Sequence, residues 1–137
     1  TICGLALREA AADESPVVRA ACVIALRRLP GGVPEDSLKR FLADPSSVVS
    51  VEAFRHLTFE GPKLSADPVE AAAERDGWVR LLLAHAQIPE GRHATFACEA
   101  LGSIAEAGFT SLRPEDWTEW WRATRPGEPL PDPGLGS

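Results

Sequence analysis

His56, His85 and His93 are the side chains of this sequence best suited to hold a metal or move a proton, and they are scattered. A helical zinc site needs a pattern such as H-E-x-x-H, and no such spacing occurs here. His56 occupies a slot that elsewhere in the chain holds Ala, and His93 aligns with Val18 and Val49. Cys3, Cys22 and Cys98 form no CxxC or other metal-type spacing. Cys22 falls where Ala53 and Ala97 stand in equivalent positions, so it reads as a small buried residue. Ser46, Ser47 and Ser65 have no partner at a spacing that would pair a nucleophile with a base. The acid pairs Asp13-Glu14, Glu35-Asp36 and Glu115-Asp116 stand at expected helix starts, where capping explains them. No glycine-rich phosphate loop is present. These residue types predict a protein that is not an enzyme and that carries no cofactor and no metal.

What the spacing does carry is a repeat. Asp13 and Asp44, Val18 and Val49, Cys22 and Ala53, and Leu26 and Leu57 all stand 31 positions apart. A fixed period of this size marks helical units that bury their faces by stacking on one another. A third copy holds Ala97, Ala100, Leu101 and Ile104 where the first has Cys22, Ala25, Leu26 and Leu29. Leu57 and Leu101 are 44 positions apart, which leaves about 13 extra residues, placed by their Gly-Pro and Asp-Pro content in a loop over Thr58–Pro68.

Apolar spacing and breakers predict helices over 2–12, 17–29, roughly 34–43, 46–58, about 69–86, 94–104 and 115–124. Val18, Cys22, Ala25, Leu26 and Leu29 define the expected buried stripe of the second of these, with Leu26 and Leu101 both buried between two helical layers. Ile88-Pro89-Glu90-Gly91 is the expected turn into the helix at 94. Trp117 and Trp121 are neighbours one turn apart and are expected to seal the end of the stack, leaving Trp120 partly exposed. The segment 125–137, with four Pro and three Gly, is expected to be a disordered tail beyond a helical domain over 1–124.

Composition bounds the partners. The formal charge is −6, and residues 41–137 carry eight basic against fifteen acidic side chains. That balance disfavours nucleic acid and anionic membrane. No segment approaches the roughly 18 uninterrupted apolar residues of a membrane span, and no signal-peptide pattern is present. Three cysteines without a framework favour a reducing cytoplasm, while a chain starting at Thr1 leaves a leader or earlier repeats open.

Asp13, Val18-Arg19, Cys22 and Ala25-Leu26, followed by Asp44, Val49, Ala53 and Leu57, resemble the short HEAT repeats of bacterial proteins, the class first noted in phycobilisome lyase-related proteins. The resemblance covers roughly residues 2–124. Ser50 and His56 depart from the pattern in the second copy, where Arg and Ala are expected. The third copy has Ile88 for the Asp and Ala94 for the Arg. The Trp117-x-x-Trp120-Trp121 ending also looks like what closes many such proteins. The resemblance implies an all-α, right-handed, armadillo-like α-solenoid of about three antiparallel helix pairs plus a capping helix. It further implies protein-binding work, and a structural ladder in which Asp13 and Asp44 bond helix starts and the Arg19 of an adjacent unit.

Opposite the expected stripe lie Ala20, Val23, Ile24 and Arg27, then Val51, Phe54, Arg55 and Thr58, then Thr95, Cys98, Glu99 and Gly102. Large apolar groups on an outer face mark binding surfaces, unless a neighbouring inner helix covers them. The expected function is an interaction scaffold that takes a protein or peptide on a concave face of Val23, Ile24, Arg27, Phe54 and Arg55. A bilin-lyase-related enzyme or accessory and a nucleic-acid-binding solenoid are the rival readings.

Overall fold

A computed structural model describes residues 10–88 and 93–131. Among them the chain is helical, without a strand. The helices are α1 (Pro16–Arg28), α2 (Glu35–Leu42), α3 (Ser47–Phe59), α4 (Pro68–Ala86), α5 (Ala94–Ile104) and α6 (Pro114–Thr124). Of the expected helix over 2–12, residues 10–12 are described; 10 and 11 are helical and 12 is already a turn. The turn at 89–91 and Cys3 lie outside the described residues.

Local chemistry sets these bounds. Pro16, Pro68 and Pro114 open α1, α4 and α6, where a fixed φ favours the helix and the missing N–H costs nothing. The Asp67 carboxylate accepts the Glu70 N–H at 3.2 Å and caps α4. Short α2 has Glu35 and Asp36 in its first turn and Lys39 and Arg40 in its last, which complements the helix dipole at both ends. After α1 the chain turns through Gly32, whose φ is +65°. A Cβ there would stand 3.3 Å from the His56 ring, so glycine serves both the turn and its approach to α3.

Two units divide the chain, Thr1–His56 and Leu57–Ser137. In the first, Arg19 pairs with Asp44 just ahead of α3, and Arg27 pairs with Glu52 within it. These two bridges hold α1 and α3 side by side. Its core consists of Val23, Val33, Leu38, Phe41, Leu42, Val49, Ala53 and Phe54, all buried.

The register of α1 differs from the expected one. Val18 and Leu29 are 38% and 41% exposed, and Leu26 is only half-buried. The buried residues are Ala20, Cys22 and Val23. At about 100° per residue, the buried face is turned by roughly one residue from the stripe through Val18, Cys22 and Leu29. The cause is visible in the sequence. Val17, Val18, Val23, Ile24, Leu26 and Leu29 put apolar groups on every side of α1, so periodicity alone does not orient it.

In the second unit, α4 packs on α5 and α6, and α5 packs on α6. Trp78, Val79, Leu82, Leu83 and Ala86 form the buried face of α4. Ala97, Ala100, Leu101 and Ile104 are all buried on α5, in the register expected for this copy. Trp117 and Trp121 are fully buried. Trp117 stacks on Phe109 at 4.6 Å, meets Trp120 edge-on at 5.5 Å, and donates its indole N–H to the Ser111 carbonyl at 2.9 Å.

The tail also departs from expectation. Residues 125–131 are held against α4: Arg125 bonds Asp76, Glu128 accepts from Arg80, and Pro131 accepts from Gln87. Proline content argues against a helix there, and the segment instead opens on a turn in which the Glu128 N–H donates to the Arg125 carbonyl at 3.1 Å, with Gly127 at φ +84°. Residues 132–137 lie outside the described residues.

Candidate interaction face

Asp44 organises the first unit. Arg19 donates from Nε to Asp44 Oδ2 at 2.9 Å and from Nη2 to Oδ1 at 3.1 Å, a bidentate fork. The third guanidinium nitrogen, Nη1, donates to the Asp13 and Glu14 carbonyls at 2.8 and 3.0 Å. Asp44 Oδ1 also accepts the Ser46 N–H at 2.9 Å, and Asp13 Oδ1 accepts the Ser15 N–H at 2.8 Å. The Asp44 bond raises the pKa of the Arg19 guanidinium above its usual value, against a smaller lowering by burial. Asp13, Arg19 and Asp44 therefore tie the start of α1 to the start of α3.

The expected column on this unit is only partly open. Val23 and Phe54 are fully buried, which corrects their assignment to a free concave face. Val23 lies between Arg19 and Arg27 on the side of α1 that meets α3. Phe54 sits at the edge of a broad buried arc on α3 with Val49, Ser50, Ala53 and Leu57. Ile24 is 38% exposed. Arg27 and Arg55 both reach Glu52, at 3.4 and 3.5 Å, so two guanidinium groups share one carboxylate.

On the second unit the equivalent positions border an open groove. Thr58, Cys98, Glu99, Gly102, Ser103, Thr110, Ser111 and Leu112 line a space of about 520 Å³. Gly102 leaves the α5 backbone close to Thr110, since a Cβ there would stand 3.2 Å from Thr110 Cγ2. Ser103 Oγ donates to the Thr58 carbonyl at 2.9 Å, and Ser111 Oγ donates to Asp116 at 2.6 Å. Cys98 is fully buried at the floor. Burial, and then the carboxylates of Glu115 and Asp116, push its thiol up to about 11. It stays protonated at neutral pH and acts as a small apolar group. Exposed Glu99 and Leu112 stand at the rim.

The expected positions Thr58, Cys98, Glu99 and Gly102 thus come together, joined by the loop residues Thr110–Leu112, which sequence reading missed. The signal for that loop was local: Gly108 has φ +84°, and Ser111 precedes Arg113-Pro114 at a helix start. His85 and His56 are buried, and no group of three or more His, Cys, Asp and Glu able to hold a metal forms among the described residues. No helix among those residues is long and apolar enough to cross a membrane. Family models, curated proteins and solved structures all fail to match the chain.

Proposed function

We propose that the chain is a non-enzymatic interaction scaffold, a HEAT-like solenoid of helix pairs that binds a protein or peptide on the faces its helices leave open. The observation that carries this reading is the groove of about 520 Å³ beside α5, bordered by Glu99, Ser103, Thr110 and Leu112 on the outer face of the repeat. Its Ser103 and Ser111 hydroxyls are engaged with the chain itself and its thiol is protonated, which suits contact better than bond-making. An acidic rim residue beside an exposed leucine fits a partner segment with one basic and one apolar side chain. The immobilised full chain should capture a discrete partner from extract, identified by mass spectrometry. Glu99→Trp, a surface change that fills the groove, should abolish that capture with helical content unchanged. Capture that survives in folded Glu99→Trp moves the site off this groove, and turnover of a captured small molecule would replace the scaffold reading with an enzymatic one.

A further inference from the structure

The outward side of α1 is apolar. Val17 is 71% exposed, Val18 and Ile24 are 38% exposed, and Ala21 between them is exposed as well. At 3.6 residues per turn, Val17, Ala21, Ile24 and Arg28 fall within about 60° of one another around the helix, with Val18 and Ala25 alongside. The contact with α3 is made elsewhere on the helix, through Arg19 and Arg27. Single exposed apolar residues are ordinary, whereas a contiguous stripe of them marks an interaction surface.

The two ends of the stripe carry opposite charge. Asp13 and Glu14 stand exposed just ahead of α1, and Arg28 is exposed in its last turn. No salt bridge joins any of the three to another described residue. Arg28 lies as far after Ala21 as Glu14 lies before it. Val17 and Ile24 straddle Ala21 on one flank of the stripe, and Val18 and Ala25 straddle it on the other. The face is therefore complementary to itself when turned end over end about Ala21.

We propose that this stripe is an isologous interface between two copies of the chain, an antiparallel pair of α1 helices with Ala21 at the two-fold axis. Val17 packs on Ile24 of the second copy, Val18 on Ala25 of the second copy, and Arg28 faces the acid pair Asp13-Glu14. Alanine at the crossing lets the two helix axes approach to about 8 Å. Each helix N-terminus then lies beside the other's C-terminus, which the macrodipoles favour. A parallel pairing would set acids beside acids and Arg28 beside Arg28. Self-complementarity about one point is what a two-fold contact requires and what an unrelated partner does not need, so the occupant is a second copy. The stripe belongs to the first unit and the groove beside α5 to the second, so failure at one leaves the other standing.

The test is sedimentation equilibrium of the full chain from about 5 to about 500 µM, a range suited to the weak association of a contact below about 1,200 Å². The parent should pass from monomer to dimer within it. Ala21→Glu sets two carboxylates together at the axis and should stay monomeric, with helical content and urea midpoint near those of the parent because Ala21 is exposed. Two further variants test the pairing of the ends. Arg28→Glu faces the acid pair with an acid. Asp13→Asn with Glu14→Lys faces Arg28 with a cation, while Asn keeps an acceptor for the Ser15 N–H. Each alone should dimerise at least about tenfold more weakly than the parent, and an equimolar mixture of the two should regain the dimer. A parent that is monomeric throughout overturns the proposal and leaves the stripe to another occupant. A dimer that survives in folded Ala21→Glu, or a mixture that associates no better than its components, overturns it as well.

Discussion

At the scale of single residues, two buried or half-buried polar groups do most to define the first and second units. Asp44 meets three donors with one carboxylate, so removing it would strand Arg19 and the Ser46 N–H together. This arrangement was legible in part, because an Asp ahead of a helix has a known use in capping. Arg19 as its partner came only with the repeat resemblance, since a 25-residue separation has no local signature. His85 is buried on α4, and burial, with a smaller effect of His93, holds its imidazole below the usual range. The unfolded chain takes up that proton below about pH 6.5, whereas the folded chain resists it. Stability contributed by neutral His85 is therefore complete above that pH and is lost as the pH falls through the lower folded-state value. The urea midpoint should drop between pH 7.5 and pH 5.5, and His85→Gln should flatten that drop. An equal drop in parent and variant would show that His85 does not carry the effect.

Among the elements, helix positions were legible and helix rotation was not always so. The breakers Pro16, Pro68, Pro114 and Gly108 fix where helices begin and end, because proline and glycine act through the backbone alone. Rotation depends on contrast around the helix. On α5, Gly102, Glu99 and Ser103 oppose Ala97, Leu101 and Ile104, and the buried face is unambiguous. On α1, Val17, Val18, Ile24 and Leu29 oppose Ala20, Cys22 and Val23, and nothing local chooses between the two sides. The same blur hid the burial of Phe54, which shares α3 with apolar neighbours on several sides. Leu26 and Leu101 turn this difference into a measurement, since they are the same repeat position in two environments. Leu101→Ala should cost about 2–5 kcal/mol, the range for a fully buried leucine. Leu26→Ala should cost clearly less, because that side chain is only partly buried. Equal losses in urea melts would return α1 to the expected register.

For the whole molecule, charge bears on which partners fit, and pairing matters more than the count. Composition gave the net −6, and only side-chain placement shows how the basic groups are spent. Arg27 and Arg55 converge on Glu52, Arg75 on Glu106, Arg80 on Asp76 and Glu128, and Arg125 on Asp76. Each of these arginines has a carboxylate within its own unit, so none of the five stands as an unpaired cation of the kind a nucleic-acid surface needs. Phosphate contacts supply non-specific affinity in proportion to the number of free cations, with binding that falls steeply as salt rises. The parent chain should therefore pass unretained through a duplex-DNA resin even at about 50 mM salt. Glu52 meets two arginines, Arg27 from α1 and Arg55 from its own helix. Glu52→Lys would set three cations there in place of two that share one carboxylate, and it should be retained at low salt and eluted as salt increases. The parent being retained with the same salt dependence would reveal a basic surface that these pairings deny, and would revive the nucleic-acid reading at the expense of the protein-binding one.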